Sequence, residues 1–202
     1  MTRVGRLIAF EGGEGSGKST QARLLAKSLD AVLTFEPGGT PIGASVRALV
    51  LDPASAAMTD RTEALLMAAD RAQHVATVIE PALAAGRHVV TDRYVGSTLA
   101  YQGYGRGLDV DALRLLCAWA TGGRDADVNV LLDVPYEASL ERLAAARPDR
   151  MEAESRDFHQ RVADGFRSLA GDDAARWVVV DGVGSVDEVA QRVLAALDGR
   201  LS

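Results

Sequence analysis

The chain has 202 residues and a mass of 21.3 kDa, which suits one domain with a sizeable apolar core. Hydrophobic residues contribute 48% and charged residues 25%, so disorder is excluded as its main state. No apolar run approaches the length of about 18 residues that a membrane span requires, and we expect a cytoplasmic protein without a membrane partner. The net charge of −6 argues against a nucleic-acid partner, because phosphate backbones require a basic surface. The single cysteine and three scattered histidines exclude an internal disulfide and a cysteine–histidine metal cluster.

Short β-rich runs alternate with longer helical stretches along the chain. The predicted strands are Arg6–Glu11, Ala31–Glu36, His88–Asp92, Val128–Asp133 and Trp177–Asp181. Helices are predicted between them, most clearly over 18–29 and over 60–79. The second of these has apolar positions at Ala64, Leu65, Ala68 and Val75. We expect capping boxes at Asp60–Glu63 and Ser185–Glu188 to open two helices.

Strands separated by helices require crossover connections, which predict an α/β fold with a five-stranded parallel sheet and helices on both faces. Ligands of such sheets bind beyond the carboxyl ends of the strands. Every predicted strand ends in an acid, and we expect two or three of these acids to be functional. They are Glu11, Glu36, Asp92, Asp133 and Asp181. Without a linker or repeat, the sequence predicts a single domain over residues 1–202.

The segment after the first predicted strand satisfies the pattern G-x-x-x-x-G-K-[ST]. Chance would give about 0.002 matches in a chain of this composition. Its glycines let successive N–H groups face phosphate oxygens at a helix N-terminus. Lys18 is expected to reach the β- and γ-phosphates, and the Ser19 hydroxyl to bind Mg²⁺. The sequence therefore predicts an ATP-type triphosphate site made of Gly12, Gly13, Glu14, Gly15, Ser16, Gly17, Lys18, Ser19 and Thr20.

The remaining motifs favour a kinase among the proteins that share this phosphate-binding loop, or P-loop. Switch GTPases usually carry Asn-Lys-x-Asp, but the only asparagine, Asn129, precedes a valine. Large ATPases need a longer chain. Arg93 follows the third predicted strand, and Arg47 and Arg71 lie in neighbouring helical stretches. Three arginines near a P-loop indicate a second substrate that itself carries a phosphate.

The chain resembles the bacterial thymidylate (dTMP) kinase family from its first strand to its final helix. The resemblance is carried by Phe10–Thr20, Glu36–Thr40, Ala68–Ala72, Asp92–Tyr94, Ser97–Gly103 and Asp149–Glu152. It implies a P-loop NTPase three-layer sandwich with a small lid at about 144–152. It also implies a homodimer that transfers a phosphoryl group from ATP to dTMP with Mg²⁺ as cofactor, giving dTDP.

The resemblance implies a dTMP site made of Glu36, Arg47, Met67, Arg71, Arg93, Ser97, Thr98, Tyr101 and Gln102. Arg47 and Arg93 match residues that hold the dTMP phosphate, and Arg71 matches the arginine that contacts thymine. Thr98 and Gln102 match polar contacts to the base. Tyr101 matches the residue beside the deoxyribose 2′ position, where a bulky ring would exclude a ribose hydroxyl.

The resemblance also implies the residues of the metal and donor side. Asp92 matches an acid near the magnesium, so Ser19 and Asp92 form the expected metal site. Glu14 matches a carboxylate between donor and acceptor. Since a phosphate monoester is largely ionised at pH 7, no strong general base is needed, and we expect Glu14 to orient other groups.

The positive charge that phosphoryl transfer requires is expected to come from the lid, because Glu14, Gly15 and Ser16 supply no basic residue within the P-loop. Arg142, Arg147 and Arg150 follow the fourth predicted strand. Arg142 falls in a predicted helix, where it would face solvent, which favours Arg147 and then Arg150. The expected catalytic residues are therefore Lys18, Glu14, Arg93, Arg147 and Arg150.

Two positions depart from the family pattern, and two other functions stay open. Met67 stands where many members have a phenylalanine that stacks on thymine, and Phe35 stands where they have an arginine. A kinase of the same fold with another acceptor, or a nucleotide-binding module without catalysis, would also account for the P-loop. Turnover of a panel of nucleoside monophosphates discriminates among the three.

Overall fold

The computed structural model describes residues 5–143 and 148–201. Within these ranges the strands are β1 (Leu7–Glu11), β2 (Val32–Phe35), β3 (Val89–Asp92), β4 (Val128–Asp133) and β5 (Trp177–Asp181). The helices are α1 (Lys18–Leu29), α2 (Pro41–Leu51), α3 (Asp60–His74), α4 (Glu80–Ala84), α5 (Val95–Thr98), α6 (Val110–Thr121), α7 (Tyr136–Leu143), α8 (Arg156–Asp172) and α9 (Val186–Leu197). No helix of the described residues is long and apolar enough to cross a membrane. The predicted lid falls partly on residues 144–147, which lie outside the described ranges.

The strands form one parallel sheet in the order β2-β3-β1-β4-β5. Each predicted strand is confirmed to within one residue at either end. All of β1 is buried, because it lies at the centre of the sheet. Its register places Phe10 beside Asp92 of β3 and Val130 of β4, so the strands deliver their terminal acids to a shared edge.

Apolar residues cover both faces of the sheet, which confirms the expected three-layer α/β sandwich. One face packs Ile8 and Phe10 of β1 against residues of α1 and α9. Leu7 and Ala9, which alternate with them, point to the opposite face, as the period of two in a strand requires. On that opposite face Leu131 packs among residues of α6 and α8.

The predicted helix over 60–79 is interrupted. The α-helix α3 ends at His74, and a π-helical turn over Val75–Ile79 leads into α4. Of the apolar positions named for this helix, Ala64, Ala68 and Val75 are buried, whereas Leu65 is 58% exposed.

The prediction of a capping box at Asp60–Glu63 was wrong. Thr59 caps α3, since its hydroxyl accepts a hydrogen bond from the Thr62 N–H, and Asp60 is already helical. Glu63 points into the protein and is 1% exposed. The second predicted box is confirmed: Ser185 caps α9, and the Glu188 carboxylate accepts from the Ser185 N–H.

Candidate active site

The P-loop joins β1 to α1 and is shaped by glycines in left-handed conformations, with φ of 141° at Gly12, 68° at Gly15 and 94° at Gly17. A Cβ atom at Gly12 would lie 2.7 Å from the carbonyl oxygen of Leu132, so only glycine fits there. The loop borders an open cavity of about 750 Å³ beside β2 and β3. This cavity is wide enough for the phosphates that the loop is expected to hold.

Lys18 lies across the P-loop and is 5% exposed. Its Nζ donates to the Gly13 carbonyl oxygen at 2.6 Å and to Ser16 Oγ at 3.2 Å. Burial, reinforced by the positive charge of Arg93, lowers the pKa of Lys18 to about 8, although the Glu14 and Asp92 carboxylates partly offset this. Anionic oxygens at this position would restore the charged form of the amine.

The Ser19 hydroxyl donates to Asp92 Oδ2, which brings together the two residues expected at the metal. Asp92 Oδ1 is buried and has no hydrogen-bond partner among the described residues. An unpaired carboxylate oxygen beside a hydroxyl suits Mg²⁺, which prefers oxygen ligands. Among the described residues no group of three or more His, Cys, Asp or Glu side chains could hold a metal ion.

Arg93 begins a strained turn after β3. Its φ is 72°, and its N–H donates to the Phe10 carbonyl oxygen at 2.9 Å. The buried Glu11 carboxylate anchors the following residues, because Oε1 accepts from the Tyr94 N–H at 3.0 Å and Oε2 accepts from Ser97 Oγ at 2.6 Å. Burial raises the pKa of Glu11, although these hydrogen bonds and nearby arginines act in the other direction.

The Arg93 guanidinium joins the P-loop to the neighbouring cleft. Nη1 donates to the Gly12 carbonyl oxygen and to Ser97 Oγ, both at 3.1 Å, and Nη2 donates to Glu14 Oε1 at 2.6 Å. The Tyr101 hydroxyl donates to the same Glu14 oxygen at 3.0 Å. Burial alone would raise the pKa of Glu14, but the charges of Arg93 and Lys18 and the Tyr101 hydrogen bond lower it to about 2.

All nine residues that the resemblance implies for dTMP line one cleft between α2, α3 and the π-helical segment Leu99–Gly105. The structure therefore brings them together. Glu14, which the sequence analysis expects between donor and acceptor, lines the same cleft. So do six residues that were not selected from the sequence: Pro37, Leu51, Asp70, Asp149, Met151 and Glu152. Glu14 lies where the cleft meets the P-loop cavity.

Arg71 is rigidly held at the back of the cleft and is 2% exposed. Its Nε donates to Glu36 Oε2 at 2.8 Å, its Nη1 to Thr98 Oγ1 at 2.9 Å and its Nη2 to the Tyr94 carbonyl oxygen at 2.9 Å. Glu36 Oε1 is in turn 2.8 Å from Nδ1 of the buried His74. His74 was missed by sequence reasoning, although its position three residues after Arg71 places both on one helix face.

Of the three arginines that follow β4, the structure describes Arg142 and Arg150. The Arg150 guanidinium forms an ion pair with Glu63 and donates from Nε to the Val50 carbonyl oxygen at 2.7 Å, so it does not line the P-loop cavity. Arg142 is exposed, as expected, and its guanidinium also donates to the P-loop carbonyl oxygens of Gly15 and Ser16 at 3.2 and 3.3 Å. Arg147 lies outside the described residues.

The two departures from the family pattern both lie at the site. Met67 lines the cleft, where its flexible thioether can cover an apolar ring. Phe35 is 44% exposed, and its ring centroid is 5.9 Å from Cζ of Arg47. Arg47 lines both the cleft and the P-loop cavity and donates from Nη1 to the Pro37 carbonyl oxygen at 2.9 Å. Phe35 thus flanks the arginine expected to bind phosphate.

The lowered pKa of Lys18 predicts that stability rises in alkali. Between the folded pKa of about 8 and the unfolded value of 10.5, the unfolded chain binds more protons, so raising the pH favours the folded state. We expect the unfolding free energy of wild type minus that of Lys18→Met to increase by up to about 3 kcal/mol across this range. Urea denaturation at pH 7 to 10.5 measures it. If the unfolding free energies of the two proteins changed in parallel with pH, the lowered pKa of Lys18 would be contradicted.

Comparison with known proteins shows the family to which the chain belongs. The family model for thymidylate kinase matches residues 10–193. The thymidylate kinase of Geotalea daltonii is 46% identical over 98% of this chain and 99% of its own length, and that of Leifsonia xyli subsp. xyli is 46% identical over 98% and 97%. A crystal structure of thymidylate kinase from Ehrlichia chaffeensis has a TM-score of 0.80 at 30% identity and covers 96% of this chain and 98% of that one. The chain belongs to the thymidylate kinase family.

Proposed function

We propose that this chain transfers the γ-phosphoryl group of ATP to the phosphate of dTMP, giving dTDP and ADP. The observation that carries the proposal is the junction at Glu14 and Arg93, where the acceptor cleft opens beside the P-loop. Arg93 contacts both sides of this junction, so a phosphate bound to it lies next to the donor site. This geometry supplies the positioning on which phosphoryl transfer mainly depends.

On the donor side, we assign the triphosphate to the P-loop backbone and to Lys18. Ser19 and Asp92 would hold Mg²⁺, which when bound neutralises charge on the phosphates. The unpaired Asp92 Oδ1 supports this assignment. The amine of Lys18, which is partly discharged at pH 8 in the free protein, regains its proton beside phosphate oxygens.

On the acceptor side, we assign the dTMP phosphate to Arg47 and Arg93. Glu14 holds Arg93 in place and does not act as a general base, because a carboxyl with a pKa of about 2 is a very weak base at neutral pH. The acceptor needs no base, since a phosphate monoester is largely ionised at pH 7. The role of Glu14 is therefore orientation.

The nucleoside is assigned to the inner part of the cleft, with the base near Arg71, Thr98 and Gln102. Tyr101 supports a preference for deoxyribose, because its ring cannot easily move aside. The ring packs 6.2 Å from that of Phe158 and 6.1 Å from that of Phe166, and its hydroxyl is bonded to Glu14. A 2′-hydroxyl placed against this ring would collide with it.

A coupled assay with ATP, Mg²⁺ and single nucleoside monophosphates tests the reaction. We expect dTMP to have the highest kcat/KM among dTMP, UMP, dCMP and AMP, and thymidine to be inactive because it offers the arginines no phosphate. Faster turnover of UMP or AMP would indicate a kinase with another acceptor. Binding of nucleotides without any turnover would indicate a non-catalytic module.

We retain Arg147 as the proposed lid arginine that stabilises the transferring phosphoryl group. A positioned arginine is typically worth about 10³–10⁵ in rate. Arg147→Ala should therefore lower kcat by about two orders of magnitude or more, with the Kd of dTMP nearly unchanged. Arg150→Ala is the comparison: because Arg150 is bound to Glu63, we expect it to change kcat much less. Near-normal kcat in Arg147→Ala would contradict the assignment.

We further propose that the enzyme is a homodimer that uses the exposed face of α2, α3 and α6. Five large apolar residues of these neighbouring helices are more than half exposed: Ile42, Leu49, Leu65, Leu115 and Trp119. Trp119 is the most exposed of these residues, at 83%. An apolar surface of this kind is typical of protein–protein contacts.

Trp119→Glu tests this interface, because a buried unpaired carboxylate is costly. Light scattering at micromolar concentration should give twice the 21.3 kDa chain mass for wild type and the chain mass for the variant. The matched control is Leu194→Glu on α9, where the apolar residue is 51% exposed but lies on the other face of the sheet. A monomeric wild type, or dissociation by both variants, would overturn the proposal.

The cytoplasmic location and the absence of nucleic-acid or membrane partners remain proposals from the sequence. They are supported by the net charge of −6 and by substrates that are free nucleotides.

A further inference from the structure

Glu63 lies on α3 immediately behind the base end of the cleft and does not line it. Its carboxylate is 1% exposed, and Oε1 accepts a hydrogen bond from Gln102 Nε2 at 2.8 Å. Gln102, itself 1% exposed, does line the cleft. Glu63 therefore touches the back of a residue that faces the proposed base site.

Two arginines keep Glu63 ionised. Arg106 donates from Nη2 to Oε2 at 3.1 Å and from Nε to Oε1 at 3.3 Å, and Arg150 forms a second ion pair with Oε2. Burial raises the pKa of Glu63, but the hydrogen bonds from Arg106, Gln102 and Arg150 outweigh this and lower it. An ionised carboxylate has no proton to donate, so it can only accept hydrogen bonds.

Because the Glu63 carboxylate can only accept hydrogen bonds, it determines how the Gln102 amide is oriented. The amide must turn its NH₂ group towards Glu63, since turning its oxygen there would set two acceptors against each other. Gln102 Oε1 is then directed away from Glu63, and it has no hydrogen-bond partner among the described residues. The cleft is thereby given a fixed acceptor at this position.

We propose that Glu63 is a positioning residue that sets base selectivity by fixing Gln102 Oε1 as an acceptor in the cleft. The inference rests on the proposed function, in which a pyrimidine base lies beside Gln102. Thymine and uracil carry an N–H at N3 and can donate to this oxygen. Cytosine has a lone pair at N3. Two acceptors, cytosine N3 and Gln102 Oε1, would then face each other and both would lack a hydrogen bond.

Glu63→Gln tests the inference, because the new amide can donate to Gln102 Oε1 and release the Gln102 NH₂ towards the cleft. We expect the ratio of kcat/KM for dTMP to that for dCMP to fall at least about tenfold, with dTMP still turned over. The matched control is Glu154→Gln, which makes the same change at the other carboxylate paired with Arg106 and leaves Glu63 and Gln102 as they are. This control should keep the ratio within about threefold.

The double variant Glu63→Gln/Gln102→Glu provides a rescue. The amide at 63 then donates to a carboxylate at 102, whose second oxygen restores an acceptor to the cleft, so discrimination against dCMP should return. If Glu63→Gln does not fold, Glu63→Asp withdraws the carboxylate by one methylene and should also lower the ratio.

An unchanged ratio in a folded Glu63 variant, an equal loss in Glu154→Gln, or no recovery in the double variant would overturn the inference. Its failure is distinct from failure of the proposed function, which would appear as a wild-type enzyme that does not prefer dTMP to dCMP.

Discussion

The hydrogen-bonded ion pair between Arg93 and Glu14 is the contact on which the site depends. At 2.6 Å it connects the P-loop to the residue that begins the acceptor cleft. The Tyr101 hydroxyl donates a second hydrogen bond to the same Glu14 oxygen. Arg93 can hold this position only because its backbone is fixed by the Phe10 carbonyl and the turn after it by the buried Glu11. The sheet thus supplies the rigidity, and the ion pair sets the relation between the two substrates.

Charge balance explains why so many ionised groups can be buried together. An isolated buried charge is costly, but each one here faces an opposite charge or a polar group at hydrogen-bonding distance. For Lys18 this balance is incomplete, since burial and Arg93 lower its pKa to about 8. The site therefore has too little negative charge around Lys18, and anionic phosphates would supply it. The same principle operates behind the cleft, where Glu63 is held by Arg106 and Arg150.

The sequence predicted what local pattern encodes and missed what depends on distant partners. Strand limits were correct to within a residue, because apolar runs and turn residues are local signals. The inward turn of Glu63 was missed, since only its contacts with Gln102 and Arg150 reveal it. For the same reason the sequence did not reveal that Arg150 pairs with Glu63 or that the exposed Arg142 donates to P-loop carbonyl oxygens. A guanidinium at the end of a long side chain is placed by its partners, and sequence spacing does not fix it.

The ionisation of the Glu14 carboxyl tests the Arg93–Glu14 contact most directly. Carbon-13 NMR of side-chain carboxyl resonances, with Glu14 assigned through Glu14→Gln, follows this group as the pH is lowered from 7 to 3.5 in the free protein. The contact predicts that the Glu14 resonance stays constant over this range, because its pKa lies at about 2. Titration near 4.5, the ordinary value for a glutamate, would show that Arg93 does not hold Glu14 and would contradict the account.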